Sequence, residues 1–295
     1  MRICITGGSG FIGRHLVSAL SSTGHVASVV DKAGLNTNVN FFQCDLAKKF
    51  DSSILTADTV FHFAASVDVR KSMENPMESI ENNVIATQNV LDACRKQDVK
   101  KIVFASTSAV YGIADRVPTP EDSELKPISV YGATKAACEM LIRSYYETYG
   151  LGAVVLRYAN IYGPGSMRGV LHDFVKKLSA DNSLLEILGN GTQSKSYLYI
   201  DDAIAATLLA ANTRGWHVFN IGSENQTTVK EIAEIVIGTM ELTNVQLKFS
   251  KGDSGWPGDV PRFLLDVTKI KALGWQEQTT IKTGVQQYVE WLVRE

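Results

Sequence analysis

Gly7-Gly8-Ser9-Gly10-Phe11-Ile12-Gly13 decides the reading of this chain. The stretch follows a short apolar run, Arg2–Thr6 (RICIT), and leads into a helical pattern over Phe11–Ser22. Glycines at 7, 10 and 13 permit a turn too tight for a Cβ, so that a diphosphate can approach the backbone. The helix behind the turn directs free N–H groups and its positive dipole end toward such an anion. Gly13 lets that helix pack closely on the strand. A glycine triad alone is a weak signal. Strand, glycine turn and helix opening a βαβ unit supply the context that the spacing requires.

Working outward, Val26–Val30 reads as a second strand and ends at Asp31, eighteen residues after Gly13. A carboxylate there accepts hydrogen bonds from an adenosine ribose and repels a 2′-phosphate, which favours NAD over NADP. Lys32 follows it and is a cation able to receive such a phosphate. Asn40–Gln43 is a short third strand, and Asp45-Leu46 just after it is placed to border the adenine. Further strands are expected at Thr59–Phe63, Lys101–Ser106 and Val154–Tyr158. Helices are expected at Pro76–Lys96, where Ile80, Val84, Thr87 and Leu91 recur at helical spacing, and at Val130–Tyr149, closed by Gly150. This alternation predicts an α/β protein with a Rossmann-type, doubly wound parallel sheet.

After Arg157 the rhythm changes. Asn160–Arg168 reads as a loop, Leu171–Ala180 as a helix, Tyr197–Ile200 and His217–Ile221 as strands, and Thr280–Val293 as a last helix behind the Gly/Pro loop Gly252–Pro261. Two lobes are expected. Residues 1–158 with about 197–222 form the nucleotide-binding domain, and about 159–196 with 223–295 form a smaller, discontinuous substrate domain. The cleft between them is the expected ligand site.

Composition agrees with that class. The 295 residues are 45% hydrophobic and 20% charged, with a net charge of -2, which offers no basic field for nucleic acid. No run approaches the ~18 apolar residues that span a membrane, and glycines interrupt the N-terminus before a signal-peptide core can form. Cys4, Cys44, Cys94 and Cys138 form no CxxC pair and have no His at zinc spacing, so no metal site and a cytoplasmic location are expected.

Tyr131-Gly132-Ala133-Thr134-Lys135 places a phenol and an ammonium four residues apart, on one face of the second long helix. A free phenol titrates near ~10 and is a poor base at neutral pH. A neighbouring cation favours the phenolate and moves it toward a working general base. The fifth strand ends in Ala105-Ser106-Thr107-Ser108, at the strand edge where ligands bind in parallel sheets. A hydroxyl there can hold the reacting oxygen beside the tyrosine.

These residues resemble the extended short-chain dehydrogenase/reductases, in their NAD-dependent epimerase/dehydratase branch. The likeness runs nearly the full length through GGSGFIG (7–13), HFAA (62–65), NNVIAT (82–87), FASTSAVYG (104–112), YGATK (131–135), RYANIYGP (157–164), GNGTQSKSYLYIDD (189–202) and GWPGDV (255–260). Within the branch the chain is most similar to the archaeal-type UDP-glucose 4-epimerases.

The resemblance implies roles. Thr107, Tyr131 and Lys135 match the catalytic trio, with Tyr131 as base and Lys135 on the nicotinamide ribose. Phe11, Ile12, Phe63, Ala64, Ala65, Asn83, Ser106 and Tyr158 join Gly7, Gly10, Gly13, Asp31, Lys32, Asp45 and Leu46 around NAD. Ser108, Asn160, Gly169, Val170, Lys195, Tyr197, Asp259 and Arg262 fall on the side of a UDP-sugar substrate. A homodimer through the helices of 76–96 and 130–149 is implied as well.

There are departures from the family pattern. Lys195 stands where an Arg often clamps the diphosphate, and Lys supplies charge without a bidentate fork. Asp253-Ser254-Gly255-Trp256 fills the place of a second Arg, and Ala159 stands where Phe is frequent. Dehydratases of the branch carry an Asp-Glu pair after the catalytic Thr, whereas Ser108-Ala109 follows Thr107 here. The expected activity is 4-epimerisation of UDP-glucose and UDP-galactose through a 4-keto sugar. Other UDP-sugar epimerases or decarboxylases, a net dehydrogenase and a non-catalytic NAD-binding protein are the alternatives.

Overall fold

The computed structural model describes residues 1–22, 25, 27–35, 38–252 and 260–294. Its strands are β1 (Ile3–Thr6), β2 (Ala27–Asp31), β3 (Asn40–Gln43), β4 (Thr59–His62), β5 (Lys101–Thr107), β6 (Gly152–Tyr158), β7 (Asn160–Tyr162), β8 (Leu184–Ile187), β9 (Ser194–Tyr199), β10 (Trp216–Ile221), β11 (Gln226–Thr228), β12 (Gln246–Phe249) and β13 (Arg262–Phe263). The α-helices are α1 (Phe11–Ser22), α2 (Val69–Glu74), α3 (Pro76–Ser79), α4 (Ala86–Lys96), α5 (Val130–Tyr149), α6 (Val170–Ala180), α7 (Ile200–Ala211), α8 (Val229–Thr239), α9 (Thr268–Lys271) and α10 (Ile281–Arg294).

Seven strands form one parallel sheet in the order β10-β6-β5-β4-β1-β2-β3. Strand order reverses between β1 and β4, and ligands of doubly wound sheets bind at the carboxyl ends of the strands at that point. Strands such as β1 and β4 are buried at every position, because their alternate side chains meet helices on opposite faces of the sheet. Ile5, Val29, Phe61, Val103 and Val154 pack on one side with Leu16 and Val17 of α1. Cys4, Val30, Val60, Ile102 and Val155 pack on the other with Leu91 of α4 and Ile142 of α5. Truncating a fully buried residue such as Ile102 to Ala costs about 2–5 kcal/mol.

A second sheet joins β11, β9, β13 and β7, and β8 pairs with β12. The run at 160–168 was expected as loop throughout, yet Asn160–Tyr162 forms β7 in register with Tyr197–Tyr199. Its glycines and proline come only after Tyr162, so nothing prevents the first three residues from pairing. The strand expected at Tyr197–Ile200 begins at Ser194 and gives way to α7 at Ile200. All of β9 pairs within the second sheet.

The stretch expected as one helix over Pro76–Lys96 is α3, a π-helical turn at Ile80–Ile85, and α4. A side-chain periodicity does not distinguish one wide turn within a helix. Helix α5 matches its expected bounds. Ser129 accepts from the Gly132 N–H at its start, and Gly150 closes it in the left-handed region at φ 71°. Among the described residues, no helix is long and apolar enough to cross a membrane.

Candidate active site

At the switch point the chain forms a cavity of about 430 Å³. Its wall includes the Gly7–Gly10 turn, Asp31 and Lys32, Asp45 and Leu46, and Phe63–Ser66. The turn is tight enough to require glycine. Gly7 has φ 75°, and a Cβ there would lie 2.4 Å from the Ala64 nitrogen. A Cβ on Gly13 would lie 2.1 Å from the Gly7 carbonyl oxygen. Asp31 accepts from the backbone N–H of Ser9 at 2.9 Å and of Ala33 at 3.1 Å, which orients its carboxylate at the end of β2. A diphosphate fits the turn at the start of α1, and a ribose fits Asp31, so the residues suit a dinucleotide.

Lys32 does not project freely beside Asp31. Its ammonium lies 3.1 Å from Asp45 and donates to the Asn82 side chain at 2.6 Å. Asn83, on the π-helical turn, accepts from Ser66 N–H at 2.7 Å and donates to Ser66 O at 3.0 Å and to Thr134 at 2.9 Å. Its amide is therefore a strut between the Ala64–Ser66 backbone and α5. His62 bridges Thr6 at 2.7 Å and Thr87 at 3.0 Å. Burial, with a smaller contribution from Lys135, pushes its pKa down to about 3, so the ring stays neutral.

One strand away from the switch point, β5 ends against α5. Tyr131 stands beside Thr107, whose hydroxyl oxygen accepts from the Ala109 N–H at 3.2 Å, and burial pushes the phenol's pKa up to about 12 despite that neighbour. Lys135 does not spend its ammonium on the phenol. It donates to Ala105 O at 2.7 Å and packs over the Phe104 ring. Burial lowers its pKa to about 8. Without a cofactor the phenol is thus protonated at neutral pH, and the i,i+4 spacing by itself does not produce a phenolate. A cation beside the ring would favour the phenolate.

Other expected residues are deployed differently. The Ser106 hydroxyl, expected on the cofactor, donates to Glu139. The Tyr158 hydroxyl meets Thr207 at 2.6 Å, in the core beneath the site. Phe11 packs edge-on to His15, which hydrogen-bonds Pro164 O at 2.8 Å and so ties α1 to the loop after β7. Ser108 opens a short 3-10 turn after Thr107, and no carboxylate follows it through Val110.

Asn160, Lys195 and Arg262 fall on the adjacent strands β7, β9 and β13. Arg262 is in register with Ser194, which the pleat turns away from the Lys195 face. Gly169 caps α6 at φ 91°, with Val170 its first residue. Tyr197 lines a separate, more open groove of about 1260 Å³ against α8 and α10, which contains none of Thr107, Tyr131 and Lys135. Asp259 lies outside the described residues.

Sequence spacing missed Glu139, Arg157, Tyr111 and Asn220, which form a buried chain behind the catalytic strand end. Glu139 lies four residues after Lys135, the one signal that placed it on the same helix face.

Fold and site define a dinucleotide-dependent α/β enzyme with a hydroxyl, a phenol and an ammonium at one strand end. Residues 3–222 match the NAD dependent epimerase/dehydratase family, and the chain belongs to it. Its cofactor is NAD. The fold is similar to a crystal structure of a UDP-galactose 4-epimerase, with TM-score 0.89 and 39% identity over 100% of this chain and 99% of that one. It is also similar to the UDP-glucose 4-epimerase of Thermotoga maritima solved with UDP-glucose, with TM-score 0.91 and 33% identity over 100% and 99% of the two chains. A UDP-glucuronate 4-epimerase of Thermodesulfobacterium geofontis is 31% identical over 97% of this chain and 94% of its own.

Proposed function

We propose that this enzyme interconverts UDP-glucose and UDP-galactose. The observation that carries the reading is the convergence of Thr107 at the end of β5 with Tyr131 and Lys135, one helical turn apart on α5, Lys135 being bonded to Ala105 O of that strand. NAD, when bound, supplies a hydride acceptor and returns the hydride. The Gly7–Gly13 turn, Asp31, Asp45 and Leu46 hold its adenosine and diphosphate half, and Lys135 its nicotinamide ribose. Tyr131 removes the proton from the sugar 4-hydroxyl while Thr107 hydrogen-bonds the same oxygen. Proton removal and loss of hydride from C4 leave a flat 4-keto sugar. Asn160 and Lys195 keep the diphosphate anchored while that sugar turns about its phosphate link. Tyr131 then returns the proton to the oxygen as the hydride returns to the opposite face of C4. Weak contacts to the sugar and strong contacts to the nucleotide suit this turn. The missing carboxylates after Thr107 disfavour elimination of water at C5 and C6.

The test is an NMR time course with UDP-galactose and catalytic NAD. Growth of the UDP-glucose anomeric signal, absent in Tyr131→Phe, supports the reading. No change with that substrate sinks it, and turnover of UDP-glucuronate or UDP-N-acetylglucosamine would replace it. The glucuronate relative, and Ala159 where the family often has Phe, favour those as the second reading.

Pairing of two copies is part of the same proposal. Met77 (60% exposed), Ile85 (43%) and Met140 (55%) lie on neighbouring α3, the π-helical turn and α5. Light scattering of a monomer at micromolar concentration would remove it.

A further inference from the structure

We infer that Ser106 and Glu139 are positioning residues that hold the catalytic hydroxyl and phenol in register; this rests on Tyr131 being the base. Tyr131, Lys135 and Glu139 recur every four residues on one face of α5. They meet three consecutive residues at the end of β5. Tyr131 stands beside Thr107, Lys135 donates to Ala105 O at 2.7 Å, and Glu139 accepts from the Ser106 hydroxyl. Helix and strand are thus fastened by two hydrogen bonds behind the Thr107–Tyr131 contact, and Ser106–Glu139 is the one without a role in the proposed chemistry.

That point is backed from behind. Ser106 and Arg157 are register partners on β5 and β6, and both reach Glu139. Arg157 grips the carboxylate with Nε at 3.1 and 3.2 Å and with its second amino group at 2.7 Å. Glu139 is 1% exposed and Arg157 4%, so neither charge has water as an alternative partner. A planar guanidinium and a carboxylate held by three elements leave little freedom of rotation or slip.

The chain continues outward. Arg157 donates to the Tyr111 hydroxyl at 2.8 Å and to Glu121 O at 2.9 Å. Tyr111 donates to Asn220 at 2.8 Å, and the Asn220 amide donates to Thr119 O and Asp266 O. The strand end is therefore fixed against β10 and against the segment that follows β13, not only against α5.

Thr107 follows Ser106 directly, so loosening Ser106 frees the hydroxyl that stands beside Tyr131. A misplacement of about 1 Å at a reacting group can cost up to about a hundredfold in rate. The expected consequence is a loss of turnover and a change in the tyrosine's ionisation, with ligand binding intact.

Ser106→Ala is the primary variant, because it deletes one hydroxyl and leaves the Glu139–Arg157 pair whole. Glu139→Gln is the second, read only if it folds. On the NAD-loaded protein, kcat is expected to fall about tenfold in Ser106→Ala, with KM and NAD retention within about twofold. The ¹³Cζ resonance of Tyr131, assigned by its loss in Tyr131→Phe, is expected to titrate at higher pH than in the unaltered protein. Combining both changes is expected to add little to the larger single effect. Unchanged kcat and unchanged Tyr131 titration would overturn the inference, as would equal losses in kcat, KM and NAD retention. If the unaltered protein turns over none of the three UDP-sugars, the titration alone decides this inference, and the missing turnover counts against the functional reading.

Discussion

The two ends of the catalytic lobe are made of different material. At the glycine turn the walls are backbone: Gly7 lies against Ala64 and Gly13 against the Gly7 carbonyl, with no room for a Cβ. At the end of β5 the site is side chains: Thr107, Tyr131, Lys135, and behind them Ser106, Glu139 and Arg157. The first end offers an anion a backbone turn that glycines permit where they stand between a strand and a helix. The second works only when side chains from β5, β6 and α5 converge. Damage to the first should therefore appear in binding, and damage to the second in turnover.

The sharpest break of that comparison is Tyr131→Phe. It is expected to lower kcat by about 10²–10⁴-fold with NAD affinity nearly unchanged, since it removes only the hydroxyl proposed as general base. Turnover by NMR and NAD binding by calorimetry check it, and parallel losses in both would erase the distinction. At the other end, Gly7→Ala places a Cβ against Ala64 in a left-handed conformation. Strain of about 1–3 kcal/mol implies NAD binding weaker by about 10- to 100-fold. Undiminished calorimetric affinity would show that the turn gives way.

His62, buried between Thr6 of β1 and Thr87 of α4, gives a pH signature. Its native pKa is pushed to about 3, against 6.5 in the unfolded chain. Between those values the unfolded state binds the extra proton, so stability falls as pH falls from 6.5 toward 3. The slope from this group is at most about 1.4 kcal/mol per pH unit. Thermal melts of His62→Gln should show a shallower acid slope than the unaltered protein, whatever their starting stability. An identical slope would assign the acid loss to other groups. The smallest effect is expected from Lys32→Ala. The Lys32–Asp45 pair is half in water and worth about 1 kcal/mol or less, so NAD affinity should change less than about fivefold by calorimetry. A larger loss would make Lys32 part of the cofactor cradle.

The same contrast governs what could be read in the sequence. Glycine spacing reports backbone directly, because only residues without a Cβ permit such a turn. Helix α5 was legible from its periodicity and from Gly150, and Tyr131 and Lys135 from their spacing within it. The ionisation of Tyr131 was not legible, because it is set by burial among residues distant in sequence, which outweighs the neighbouring Thr107 hydroxyl. Asn83 was read as a cofactor contact and is spent on Ser66 and Thr134, partners 17 and 51 residues away. The first residues after Tyr158 read as loop, since three residues of an edge strand carry no period of their own.

By itself, then, the sequence determined the parallel sheet, the glycine turn, the acid at the end of β2 and the candidate catalytic trio. Each of these depends on local periodicity or on residues that lack or carry a particular group. The tertiary structure alone decided that Ser106 turns to Glu139, that Lys32 is held by Asp45 and Asn82, and that Arg157 closes a buried chain to Asn220. Hydrogen-bond partners in a core are chosen by which strands lie side by side and how much water is excluded, and neither is written in the spacing of residues along one segment.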